Sequence, residues 1–200
     1  MVLRSACREA ACWQRDGLAL RTAVNLSPLQ FKAPGLLTTM RAILDETAPA
    51  PQLLELEITE SGLIQNNDAN LATLWALRDE GIRLGLDDFG TGYSSMSYLK
   101  QLPFTNVKVD QTFVQGLPDE ADSLAIVKAI VSLAKNLGFT VTGEGVETLD
   151  QASLLKSLGC ETMQGYFFSE PIPGENIRAM LGTHWFVDKP AQALDQELGG

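Results

Sequence analysis

Along the chain, short runs of branched or leucine-rich apolar residues alternate with longer stretches in which apolar positions recur every three or four residues, the pattern of parallel βα units. Six strands are predicted: Ala19 to Asn25, Leu53 to Thr59, Arg83 to Asp88, Asn106 to Asp110, Thr140 to Glu144 and Glu161 to Phe167. The first helix carries Val2, Leu3, Ala6, Ala10 and Trp13 on one face until Gly17 supplies a left-handed stop. Asn67 or Asp68 is placed to cap a helix ending at Gly81, and Thr148 with Gln151 forms a capping box for one ending at Gly159. Trp13 and Trp75 fall within helical patterns and are expected in the core. No strand and no capping residue precedes the first helix, so the chain is expected to lack its front. A weak repeat (ALRDEGIRLGLDD, SLAKNLGFTVTGE, SLLKSLGCETMQ) supports stacked βα units. Such units close into a barrel or form a doubly wound sheet, and in both the ligand sits at the carboxyl ends of the strands.

Strand side chains alternate faces, which splits each strand into two sets. Val24 and Leu26, Leu56 and Ile58, Leu84 and Leu86, and Val107 and Val109 form an apolar set suited to surrounding helices. The other set ends in Asn25, Glu57, Asp87, Lys108, Glu144 and Gln164, bringing a polar group from each strand to one end of a lumen. A barrel lumen is normally filled by branched apolar residues, so this set needs another explanation. With Asp88 added beside Asp87, four carboxylates face one ammonium, and burying like charges uncompensated is costly. All-oxygen ligands with one amide, and no histidine or cysteine, suit Mg²⁺ or Mn²⁺ rather than zinc. Asp87, with Asp88 beside it, is placed to hold two ions. The competing reading is salt bridges at the strand mouths, or registers slipped by one; agreement among six strands favours the metal.

Composition narrows the partners. The 200 residues are 45% hydrophobic and 20% charged, which describes one globular domain. A net charge of -10 argues against long nucleic acid and anionic membranes as partners. Three cysteines without metal-site spacing read as reduced thiols. The chain shows neither a signal peptide nor an apolar run long enough to cross a bilayer, so a cytoplasmic location without membrane insertion is expected. Asp88-Phe89-Gly90 matches a kinase tripeptide, but no glycine-rich strand or catalytic loop accompanies it. The loop Gly90 to Ser95 reads as a mobile turn or lid, and His184 as a packing or surface residue.

The segments VNLSPLQF, LELEITES, LGLDDFGTGYSS, VKVD, GEGVET and MQGYFFSEPIP, in that order, make the chain resemble the EAL-domain family of bacterial cyclic di-GMP phosphodiesterases. The resemblance runs from about Val2 to Pro173 and implies a single domain over 1–200, with 174–200 a C-terminal helix and tail. It implies an α/β fold, a modified (βα)8 TIM-type barrel. It also implies that Asn25, Glu57, Asp87, Asp88 and Glu144 bind two Mg²⁺ or Mn²⁺ ions. Lys108 matches the lysine that contacts the attacking water, Gln164 a glutamine lining the site, and Glu60 a glutamate that positions the loop after the paired aspartates. Asp110 and Glu147 also match family positions. The activity implied is hydrolysis of cyclic di-GMP to linear pGpG, with Lys108, Glu144 and Asp88 as catalytic residues.

The tripeptide Glu-Ala-Leu does not occur in the chain, and Glu9-Ala10-Ala11 lies in the first helical pattern. The family's first two strands, with a metal-binding glutamate and a substrate-binding arginine, are therefore expected upstream of Met1. The alternative function is an EAL-like module that binds cyclic di-GMP or a protein partner without cleaving it. A homodimer and an upstream sensory or cyclase-like domain are the expected partners.

Overall fold

A computed structural model describes residues 2–63, 68–90 and 99–182. All six predicted strands are present: β1 (Thr22–Asn25), β2 (Leu54–Thr59), β3 (Arg83–Phe89), β4 (Asn106–Val109), β5 (Thr140–Gly143) and β6 (Thr162–Met163). They pair in parallel in the order β1-β2-β3-β4-β5-β6, a curled sheet of the TIM-barrel type. The helices are α1 (Val2–Arg15), α2 (Pro28–Phe31), α3 (Leu36–Thr47), α4 (Asp68–Asp79), α5 (Gln111–Gln115), α6 (Ala121–Asn136), α7 (Leu149–Leu158) and α8 (Ile177–Gly182). No described helix is long and apolar enough to cross a membrane.

The core is the seam between strands and helices. Val24, Leu56, Ile58, Leu84, Leu86, Val107 and Val109 are all buried, as alternation requires, and pack against Met40, Leu74, Leu77, Val127, Val131 and Leu155 from the helices. The Thr148–Gln151 capping box starts α7, and Gly159, with φ of 100°, ends it in the left-handed conformation that only glycine adopts cheaply. A second capping box, Ser27 with Gln30, turns the chain sharply after β1.

Four expectations are corrected. Of the expected face of α1, Ala10 is buried and Leu3 and Ala6 pack against the core, but Cys7 and Ala11 complete the inner face and Val2 is 72% exposed. Small residues line that face because α1 lies close against β1 and α3. Trp75 is not core: it lies on the outer side of α4 and is 48% exposed, whereas Leu74 and Leu77 carry the buried face. Asp88 lies inside β3, which continues to Phe89. The sixth strand is only Thr162–Met163, because the next residues leave the ladder to bond the turn after β5: Val146 N donates to Gln164 O at 3.0 Å and Phe167 N to Val146 O at 3.0 Å. Residues 91–95 of the predicted loop, the Asn67 cap, His184 and the tail from 183 onward lie outside the described residues.

Candidate functional site

The carboxyl ends of the strands open on a cavity of about 460 Å³. Its lining includes Asn25, Glu57, Asp87, Asp88, Lys108, Asp110, Glu144 and Gln164, eight of the ten residues singled out from the sequence. Asn25 ends β1, Glu57 and Lys108 lie within β2 and β4, and Glu144 and Gln164 follow β5 and β6 directly. Gln111, at the start of α5, also lines the cavity and was not anticipated.

Lys108 is the hub. Its Nζ lies 2.8 Å from Glu57 Oε2, 3.0 Å from Asp87 Oδ1 and 2.7 Å from Glu144 Oε1, with its side chain 3% exposed. Gln164 Nε2 donates at 2.6 Å to Glu144 Oε1, the same oxygen that Lys108 contacts, and so helps to fix that carboxyl. Burial pushes the carboxyls of Glu57 and Glu144 above their ordinary range in spite of the ammonium beside them. Glu144 is pushed up to about 7, its neighbours Asp87 and Glu57 adding to the effect of burial. Lys108 is raised as well: burial opposes its charge, but the attraction of Glu57 and Glu144 outweighs it.

Two successive aspartates in a regular strand would point to opposite faces. Here the β3–β4 register shifts between Leu86 and Phe89, and Asp88 takes φ of 55°. Aspartate tolerates this left-handed conformation better than most residues, and the bulge lets both carboxylates reach the same cavity. Ligand atoms from Asp87, Asp88 and Glu144 all lie within 4.8 Å of one another. Burial raises the Asp88 carboxyl, and the charges of Asp87 and Asp110 push the same way. Carboxylates converging on oxygen-only ligation, with a lysine supplying part of the missing charge, fit a hard divalent cation.

The remaining residues sit around this centre. Asp110 caps α5, its Oδ1 accepting from Thr112 N at 2.8 Å. Glu60 is buried, and Gly90 N, just after β3, donates to its Oε2 at 3.3 Å. Glu147 stands apart: it lines a neighbouring cleft of about 410 Å³ with Tyr166 and Glu170, joined to the first through Gln111, Gly145 and Gln164. One layer below the cavity, Glu55, Asn106 and Thr142 form a second buried polar set that the sequence reading did not single out. Their signal was available, since each stands two residues before Glu57, Lys108 or Glu144 on the same strand face.

The EAL domain family model matches residues 1–171. The chain is 42% identical over 181 residues to a Pseudomonas aeruginosa protein described as the bifunctional diguanylate cyclase/cyclic di-GMP phosphodiesterase MucR, covering 90% of this chain and 26% of that protein. It is 38% identical over 197 residues to the cyclic di-GMP phosphodiesterase NbdA of the same organism, covering 98% of this chain and 25% of the relative. The chain thus spans about a quarter of the length of these relatives. Among solved structures it resembles the PaMucR phosphodiesterase in complex with c-di-GMP, with a TM-score of 0.85 and 42% identity over 88% of this chain and 72% of that one. The EAL domain of Mycobacterium smegmatis DcpA superimposes with a TM-score of 0.84 at 37% identity, covering 90% of this chain and 82% of that one.

Proposed function

Because this chain belongs to the EAL-domain family, we propose that it is a metal-dependent phosphodiesterase that opens cyclic di-GMP to linear pGpG. The observation that carries this reading is the convergence of Glu57, Asp87 and Glu144 on the Lys108 ammonium at 2.7 to 3.0 Å, beside Asp88, at the carboxyl ends of parallel strands. Asn25, Glu57, Asp87, Asp88 and Glu144 are the residues that would hold one or two Mg²⁺ or Mn²⁺ ions. When bound, such ions lower the pKa of a coordinated water and polarise a phosphoryl oxygen, and they let an acidic cleft accept an anionic substrate.

The chain's own residues carry the rest. Glu144, lining the cavity beside Asp87 and Asp88, is placed to take a proton from the attacking water. Gln164 holds Glu144 in the orientation for that transfer. The hydroxide attacks phosphorus in line, the bond from phosphorus to one ribose oxygen breaks, and the leaving oxygen takes up a proton. Lys108, kept charged by its carboxylate neighbours, offsets the negative charge that develops on the phosphoryl group. Asp88 steadies the site from the bulge, Asp110 sets the entry of α5, and Glu60 ties the backbone of Gly90, just after β3, to the floor of the site. Glu147 belongs to the adjoining cleft, where it meets substrate beyond the reacting phosphate. The same reading places the activity in the bacterial cytoplasm, within a dimer and alongside an upstream sensory or cyclase-like domain.

The test is chromatographic, with cyclic di-GMP, Mg²⁺ or Mn²⁺, and Asp87→Ala as control. Linear dinucleotide from the wild type alone supports the reading. A folded wild type that binds the nucleotide and releases no product refutes it in favour of a binding module.

A further inference from the structure

Beneath the acidic cavity the lumen does not become apolar. Glu55, Asn106 and Thr142 are buried there at 2%, 4% and 7% exposure, on β2, β4 and β5. Asn106 Nδ2 donates to Glu55 Oε1 at 2.9 Å and to Thr142 Oγ1 at 3.0 Å. The Asn106 carbonyl oxygen meets the hydroxyls of Thr140 at 3.1 Å and Thr142 at 3.2 Å. Arg83 Nε takes the other oxygen of Glu55 at 3.2 Å, so that carboxylate is held from two sides. Gly85 leaves it room: a Cβ there would stand 2.8 Å from Glu55 Oε1.

Each member lies two residues before a member of the layer above, so Glu55 and Glu57, Asn106 and Lys108, and Thr142 and Glu144 share strand faces about 7 Å apart along the chain. In the upper layer three carboxylates crowd one ammonium, and their mutual repulsion favours splaying of β2, β3 and β5. A cross-tie one layer down opposes that splaying. Only an amide supplies the two donors and one acceptor that this place requires. Apolar residues of similar volume would fill it without desolvating polar groups, so a role confined to packing gives no reason for the network.

We propose that Asn106 is a positioning residue which, with Glu55 and Thr142, sets the spacing at which Glu57, Lys108 and Glu144 meet. The proposal rests on the metal-site reading of the upper layer, and the experiment separates the two. Mn²⁺ affinity is measured by calorimetry on the full chain, alongside kcat and KM for cyclic di-GMP and a urea melt. Asn106→Leu should weaken Mn²⁺ about 10-fold, the low end of what loss of a group bonded directly to a metal ligand costs, because Asn106 acts one layer removed, and should lower kcat more than it raises KM. Thr142→Val removes one hydroxyl at constant volume and should give a smaller loss in a folded chain, so it decides the matter if Asn106→Leu fails to fold. Glu55→Gln still accepts from Asn106 while the part-exposed Arg83 turns to solvent, so it should keep wild-type Mn²⁺ affinity where Glu55→Leu does not. Wild-type Mn²⁺ affinity and kcat in folded Asn106→Leu or Thr142→Val, with only the melt shifted, overturn the positioning role. Glu57→Gln that binds Mn²⁺ as the wild type does overturns the site reading, and the positioning role with it.

Discussion

Replacing Lys108 by Met should separate the stability of the site from its chemistry. Methionine keeps most of the length and volume but removes the charge that contacts Glu57, Asp87 and Glu144 within 3.0 Å. The side chains of those carboxylates are only 8%, 11% and 13% exposed, so water from the cavity replaces the ammonium only in part. Breaking a buried pair costs about 3 to 5 kcal/mol. Protonation of Glu144, whose carboxyl is already pushed up to about 7, relieves part of that cost, so about 3 kcal/mol is expected in EDTA at pH 8. For a chain of this size that corresponds to a fall in Tm of about 6 to 12 °C. Mn²⁺ bound by the same carboxylates should recover most of the loss, while turnover should stay down by about 10² to 10³, since the role proposed for Lys108 is to offset charge on the phosphoryl group. The measurements are paired thermal melts with EDTA and with Mn²⁺, and product formation with cyclic di-GMP. A variant that melts like the wild type in EDTA, or that Mn²⁺ fails to stabilise, would refute the reasoning that Lys108 compensates a cation-binding cluster.

Three further outcomes are expected. Asp88→Gly should raise stability in EDTA by about 1 kcal/mol, because it relieves a left-handed aspartate and a carboxylate pressed by Asp87 and Asp110, yet abolish hydrolysis; a urea melt and the product assay check both halves. Gly165→Ala should destabilise by about 3 kcal/mol or more, since its Cβ would fall 2.2 Å from the Val146 carbonyl oxygen and backbone cannot yield as a side chain does; soluble yield and a melt would show it. At pH 8 a thiol reagent should modify the exposed Cys12 quickly and the buried Cys7 and Cys160 slowly, burial having pushed the Cys160 thiol up to about 11; three fast thiols without denaturant would contradict the packing.

The strands were legible because both of their faces carry information. Outward positions such as Leu56, Leu84 and Val107 are apolar for the helices, and inward ones such as Glu57 and Lys108 are polar, so the two sets separate by parity alone. The same parity put Asn25, Glu57, Asp87, Lys108, Glu144 and Gln164 in one cavity. Helix faces were harder to read. Trp75 falls within a helical pattern, but it is turned about 100° around α4 from Leu74, and Leu74 and Leu77 hold the buried face. The position of Asp88 was not legible either, since a bulge inserts one residue without altering the apolar pattern around it.

The lower polar layer escaped notice for a different reason, and that reason bears on what the lumen is for. Strand interiors are read for hydrophobicity, and Glu55, Asn106 and Thr142 look like noise until the folded sheet joins them through the Asn106 amide. A fold that only had to be stable would fill this level with branched apolar side chains. Here the polar character continues two residues inward from the acidic cavity on β2, β4 and β5, and every inward step adds desolvation that the hydrogen bonds only offset. The apolar seam behind the strands supplies the stability, while the lumen holds mutually repelling carboxylates at distances they would not keep by themselves. Such a division of labour suits a site that waits for positive charge and must not collapse or spread before it arrives.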